Sequence, residues 1–150
     1  MDGEEIKNLD EEENVLSEGE EEINIDNTND KKINDSVLTS IKKMLGITDE
    51  YEHFDEDILT NINMVLFTLN QIGVDSTSGI FIVDKNTTWS DVIPNEVDIG
   101  CIRTYVYLKV KLIFDPPLSS SALDAINRTI NELEWRINIQ VDSGVKNDYV

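Results

Sequence analysis

The chain has 150 residues, a length that suits one domain with its own hydrophobic core. It carries 31 Asp and Glu against 12 Lys and Arg, a formal charge of −19, and this excess opposes the phosphate neutralisation on which nucleic-acid binding depends. Cys101 is the only cysteine, which excludes an internal disulfide and favours a reducing compartment. The sequence shows neither a signal-peptide pattern nor an apolar run long enough to span a membrane. We therefore expect a soluble intracellular protein.

Most of the negative charge lies at the start of the chain. Residues 1–30 hold thirteen Asp or Glu and one Lys, a net −12, which leaves −7 for the other 120 residues. Residues 1–34 lack an apolar period, so we predict an acidic extension that is disordered unless bound. Two interpretations stay open: a solubilising tail, or a segment that becomes ordered on a basic partner surface.

Two amphipathic helices are predicted next. The first covers residues 36–45 and ends at Gly46, a residue that favours a helix C-terminus. The second covers residues 55–72, begins with three acidic residues and carries one broad apolar stripe. Met64 and Phe67 lie outside that stripe, so we predict that they contribute to a second contact surface.

The connection over residues 74–97 is long for a small domain, and long ordered loops commonly carry a function. Its segment GIFIVD, residues 79–84, alternates in a way that suits a short strand or half of a hairpin. Its segment TTWSDVIP, residues 87–94, predicts a brief helical turn with Ser90 or Asp91 as the cap.

A third helix is predicted over residues 97–114 and is apolar nearly all the way round, which indicates a central position. Two consecutive prolines end it, because they lack amide donors and disfavour helical geometry in the residue before them. A serine cluster follows, in which Ser119, Ser120 or Ser121 can cap a fourth helix, with Ser121 and Asp124 at the spacing of a capping box. The predicted rigid corner consists of Phe114, Asp115, Pro116, Pro117 and Ser121.

The fourth helix has two faces. A narrow seam at alternating steps of three and four is predicted to pack on the bundle, and it consists of Leu123, Ile126, Ile130, Leu133 and Ile137. The other face presents residue types that are enriched in protein interfaces, namely Arg128, Glu132, Trp135 and Ile139. We predict a subunit or partner contact there, with coverage of Trp135 by the chain's own long loop as the alternative.

Residues for catalysis are few. His53 is the only histidine, and no glycine-rich phosphate loop or GxSxG motif is present. The acidic context of His53 lacks the ligand spacing of a calcium loop, and Cys101 within an apolar helix is typical of a small buried hydrophobe. We predict no enzyme activity, no catalytic or metal site and no cofactor. The predicted fold class is mainly α: about four helices in residues 35–140, flanked by the acidic extension and a tail over residues 141–150.

Three segments resemble a known family. These are SVLTSIKKMLGI, FDEDILTNINMVLFTLNQIGV and RTYVYLKVKLIFDPPLSSSALDAINRTINELEWRI, which together span about residues 36–140. The most specific elements are the run at 107–111, the proline corner and the sequence Glu-Trp-Arg at 134–136. They resemble the head-tail connector, or adaptor, proteins of tailed bacteriophages.

The resemblance implies a non-enzymatic structural protein of the virion neck, assembled in the host cytoplasm. It implies a homo-oligomeric ring, expected to be a dodecamer, that docks on the portal protein, receives the next neck or tail protein and lets genome DNA pass without specific binding. The end of the chain is expected to dock on the portal through Val141, Val145, Tyr149 and Val150. An alternative function is an acidic regulatory or DNA-mimic protein that binds a basic partner through its N-terminal segment.

Overall fold

The computed structural model describes residues 35–74, 84–93 and 98–145, and this part of the chain is mainly helical without strands. The predictions for residues 1–34 and for most of the segment at 79–84 lie outside the described residues. A short 3-10 turn, Glu52–Phe54, precedes the second helix. The helices are α1 (Val37–Leu45), α2 (Asp55–Ile72), α3 (Trp89–Val92), α4 (Ile99–Phe114) and α5 (Ser120–Val145).

Local signals explain where the first two helices begin and end. The Ser36 side chain accepts a hydrogen bond from the amide of Thr39 and caps α1. Gly46 and Gly73 then adopt left-handed backbone conformations, with φ of 82° and 99°, directly after α1 and α2. Glycine has no Cβ to oppose this conformation, so both helices end where the sequence predicts.

The three long helices run antiparallel to their neighbours. The ring of Phe54 at the start of α2 meets Phe114 at the end of α4, with centroids 5.3 Å apart. At the other end of the bundle, the amide of Asp98 donates to Gln140 Oε1 of α5 at 3.1 Å. Helix α4 thus packs against both α2 and α5, and α1 covers part of α2 and α4.

Trp89 fills the core from the connection between α2 and α4. Its side chain is fully buried, and Nε1 donates to Ser40 Oγ of α1 at 2.8 Å. The guanidinium of Arg103 lies over the indole at 5.4 Å, and the amide of Trp89 donates to the carbonyl of Asp35 at 3.2 Å. The connection is therefore anchored to α1 and α4 by one large aromatic residue.

The cap of α3 differs from the prediction. The helix begins at Trp89, so Thr88 precedes it in place of Ser90 or Asp91. The amide and hydroxyl of Thr88 donate to Asp91 Oδ2 at 2.8 and 2.7 Å, and these hydrogen bonds lower the pKa of Asp91. Thr88 and Asp91 thus form a capping box across the first turn, with Asp91 at the third helical position instead of the cap.

The proline corner lies between α4 and α5, and its cap is one of the three candidate serines. Helix α4 ends at Phe114, and the carboxylate of Asp115 forms a 2.7 Å ion pair with Lys111 one turn earlier. The hydroxyl of Ser119 accepts a hydrogen bond from the amide of Ala122, whereas Ser121 lies inside the first turn of α5. Ser119 is therefore the cap, and Ser121 does not occupy the N-cap position that the capping-box spacing requires.

The seam of α5 is buried in its middle and open at its start. Ile130 and Ile137 are buried, and Ile126 and Leu133 pack partly against the core. Leu123 is exposed instead, because α5 starts beyond the end of the helices that cover the rest of the seam. The helix also continues past residue 140 to Val145, five residues beyond the predicted end of the helical domain.

A buried ion pair joins α1 to the start of α2. Lys42 is only 1% exposed, and its Nζ lies 2.6 Å from Asp55 Oδ1 and donates to the carbonyl of Asp49 at 3.0 Å. A buried ammonium is costly without such partners. The pair therefore fixes α1 against the α2 entrance, a contact that the helical periodicity of the sequence did not reveal.

We predict that Lys42→Met lowers the free energy of unfolding by about 3 kcal/mol, because it leaves the Asp55 carboxylate without its buried partner. The matched control is Lys43→Met, since Lys43 is exposed and surface substitutions typically change stability by about 0.5 kcal/mol or less. Urea unfolding followed by circular dichroism measures both. Equal stability of the two variants would contradict a structural role for the pair.

Candidate functional site: apolar contact surfaces

The outward face of α2 is uncharged over residues 58–74 and exposes two large apolar side chains among polar ones. Met64 and Phe67 are 50% and 59% exposed, in agreement with their predicted position outside the packing stripe. Residues 58–74 contain no Asp, Glu, Lys or Arg, in a chain whose residues are 29% charged. Charge depletion is characteristic of the buried centre of protein interfaces, so this face, the α2 face, has the composition of a contact surface.

A second apolar surface lies on α5. Trp135 is 64% exposed and Ile139 is 43% exposed, and most of the long loop at 74–97 lies outside the described residues. Both side chains line a groove between α5 and the start of α4, where Cys101, Thr104 and Leu133 form part of the wall. We call this surface the α4–α5 groove. An open groove with a tryptophan wall can receive apolar side chains of a partner.

The charged residues of the α5 face are balanced. Arg128 and Glu132 are exposed as predicted, and Glu132 Oε1 accepts from Arg136 at 2.6 Å. The Arg128 side chain donates only a long hydrogen bond, 3.4 Å, to the carbonyl of Asp124 on its own helix. The ion pair next to Trp135 thus leaves the groove rim with little net charge.

The predicted portal-docking residues fall into two groups. Val141 belongs to α5 and packs partly against the core, close to Gly73. Val145 is the last residue of α5. Val141 and Val145 lie one turn apart on this helix, and Tyr149 and Val150 lie outside the described residues.

The described residues offer little for chemistry. They contain no group of three or more His, Cys, Asp or Glu that could hold a metal ion. His53 is exposed and packs between aromatic rings, with its centroid 4.9 Å from that of Phe54. Cys101 is half-buried rather than buried as predicted, and burial raises the pKa of its thiol, which disfavours the nucleophilic thiolate. Among the described helices, none is long and apolar enough to cross a membrane.

Tyr105 has a strongly shifted pKa. Its ring is fully buried on α4, and its hydroxyl has no hydrogen bond of standard geometry. Burial raises the pKa of Tyr105 to about 12, and the nearby negative charge of Glu134 on α5 adds to the increase. The neutral phenol is therefore part of the α4–α5 packing.

We predict that alkali destabilises the protein through Tyr105. Its folded-state pKa exceeds the ordinary value of 10.0, so the folded state favours the neutral phenol; this stability is complete below pH 10 and is lost as the pH rises through about 12. The ultraviolet absorbance of tyrosinate should show a phase with a midpoint near pH 12. Tyr105→Phe should remove that phase, and a late phase that persists in this variant would contradict the assignment.

The described residues form a small helical domain that exposes apolar side chains on the α2 face and in the α4–α5 groove. A comparison with protein-family models matches the phage connector protein family over residues 37–144. The match covers more than two thirds of the chain and all five described helices except the last residue of α5. The chain therefore belongs to the phage connector protein family, a structural family of the phage particle. A search of curated proteins and a search of solved structures found no match.

Sequence reasoning missed one group of exposed apolar residues. Tyr51 and Ile113 are 50% and 47% exposed, and Leu118 in the proline corner is 105% exposed. The signal for Leu118 was present, since an apolar residue stands alone between two prolines and a row of serines. Whether an exposed Leu118 belongs to a larger apolar surface depends on which residues lie beside the corner in three dimensions.

Proposed function

We propose that this protein is a head-tail connector that forms a homo-oligomeric ring, docks on the portal and joins the capsid to the neck or tail of a phage. Family membership supports the connector role. The observation that supports a ring is the presence of two different surfaces with exposed apolar residues on one subunit, the α2 face and the α4–α5 groove. A closed ring of identical subunits uses two different patches, one on each side of every subunit.

In this proposal, Met64 and Phe67 of one subunit insert into the α4–α5 groove of the next. The α2 residues provide exposed apolar side chains, and the groove provides Trp135 and Ile139 on its wall. Arg128 and Glu132 lie on the same face of α5 and form the polar rim. This arrangement buries the apolar centre and leaves charged residues at the edge, as in typical interfaces.

Charge explains why these surfaces suit self-association. Two copies that each carry −19 repel one another at low salt. The α2 face has no charged residue over residues 58–74, and the groove rim has a paired Glu132 and Arg136. Contact through these surfaces brings two acidic subunits together without placing like charges opposite each other.

The same negative charge suits a channel for DNA. Carboxylates do not bind phosphate, so an acidic wall lets the genome pass without retaining it. Portal docking is assigned to the C-terminal residues Val141, Val145, Tyr149 and Val150, through insertion into a groove or addition of a strand. The next neck or tail protein then binds the assembled ring.

Electron microscopy of purified portal mixed with this protein tests the proposed assembly. Negative-stain class averages should show an additional ring layer on the portal, and a dodecamer is the expected symmetry. Portal incubated alone is the control. Images of the mixture that match those of the portal alone, at protein concentrations well above the micromolar range, would contradict portal docking.

We predict that Trp135→Ala weakens ring assembly and leaves folding nearly unchanged. Trp135 is 64% exposed, so its truncation should alter the free energy of unfolding by about 0.5 kcal/mol or less, but cost about 2 kcal/mol or more of assembly free energy if it is an interface hot spot. Sedimentation of the assembled ring and chemical unfolding of the free chain measure the two effects.

Trp89→Ala is the matched control for that experiment, because Trp89 is fully buried. Its truncation should lower the free energy of unfolding by about 3–5 kcal/mol. A comparable loss of stability in Trp135→Ala would identify Trp135 as a core residue and remove it from the proposed interface.

A further inference from the structure

The proline corner presents one apolar side chain entirely to solvent. Leu118 is 105% exposed, as open as in an extended peptide. The backbone before it is restricted by Pro116 and Pro117, which fix φ, and the backbone after it is held by the cap at Ser119. Because the backbone is already restricted, burial of Leu118 by a partner costs side-chain entropy but little additional backbone entropy.

Other exposed apolar residues lie at the same end of the bundle. The ring of Tyr51 packs 5.6 Å from Phe54, which in turn meets Phe114 beside the corner. Ile113, in the last turn of α4, is 47% exposed. We call Tyr51, Ile113 and Leu118 the corner patch. An isolated exposed leucine is ordinary, but the half-buried rings of Phe54 and Phe114 link the segment that carries Tyr51 to the end of α4 beside the corner.

The surroundings of the corner patch are acidic. Residues 49–57 contain six Asp or Glu and no Lys or Arg, and of these Asp55 is paired with Lys42. The C-terminus of α4 at this end contributes partial negative charge and the N-termini of α2 and α5 contribute partial positive charge, so the carboxylates of residues 49–57 determine the sign of the local field. Lys111 lies nearby but is paired with Asp115. The corner patch is thus surrounded by negative charge, unlike the uncharged α2 face.

We propose that the corner patch is a docking site for a different protein, one that offers an apolar pocket for Leu118 surrounded by Lys and Arg side chains. Charge complementarity identifies this partner. A second copy of the chain is a poor occupant, because its net charge of −19 would be repelled by the acidic rim. The site goes beyond the ring contacts proposed above, since it uses neither the α2 face nor the α4–α5 groove.

A pair of model peptides tests the chemistry of this site. The probes are a short amphipathic peptide of Leu and Lys and a peptide in which every Lys is replaced by Glu. Backbone amide NMR signals of residues 50–54 and 111–123 should shift and saturate with the Leu/Lys peptide only. Leu118→Ser should weaken this binding about tenfold or more, as expected when the burial of one leucine is lost, and added salt should weaken it further.

Phe67→Ser on the α2 face separates this site from the ring contact. Phe67→Ser should reduce self-association and leave the affinity for the Leu/Lys peptide unchanged. Leu118→Ser should lower the affinity for the peptide and leave self-association unchanged. Equal binding of the Leu/Glu peptide, signal shifts centred on α2 or α5, or an unchanged affinity after Leu118→Ser would overturn the proposal. Loss of self-association in Leu118→Ser would identify a second copy as the occupant and also overturn it. Failure of Phe67→Ser to alter self-association would count against the ring contact alone.

Discussion

The fold depends on covering α4, whose apolar side chains point in nearly every direction. Ile102, Tyr105, Val106 and Val110 are fully buried, and no single neighbour can cover them all. Helix α2 packs on one side, α5 on another, and α1 with Trp89 closes the remainder. Because α2 and α5 both turn their inner faces to α4, their outer faces point away from the bundle in different directions. The two contact surfaces of the subunit follow from this central helix.

The elements that the sequence predicts well are those with a strong local pattern. The stripe of α2 ends at Gly73 and the apolar α4 ends before two prolines, so periodicity and stop signals agree. The burial of Trp89 and of Lys42 was not predicted from the sequence, for two different reasons. Trp89 lies in a segment whose neighbours read as a loop, and its burial depends on Ser40, far away in the sequence. Lys42 is a residue type that is rarely buried, and it becomes so only beside Asp55.

The same distinction applies to the contact surfaces. Exposure of Met64, Phe67 and Trp135 follows from helical geometry, since each lies off the packing stripe of its helix. The groove beside Trp135 could not be predicted, because it depends on the register in which α5 packs against the start of α4. The exposure of Leu118 could not be predicted for a related reason. Two prolines predict a rigid corner, but only the packed structure shows that nothing in the described part of the chain covers the side chain it carries.

Gly73, which follows the last residue of α2, also lies against Val141 in the last turns of α5. A Cβ at this position would lie 2.9 Å from Val141 Cγ1, and the backbone φ of 99° is itself unfavourable for other residues. With 26 residues, α5 is about 39 Å long, against about 24 Å for the 16 residues of α4, so its last turns extend past the start of α4. Glycine at this position therefore lets the end of α2 approach the last turns of α5 closely. A side chain larger than hydrogen would require Val141 or α5 itself to shift.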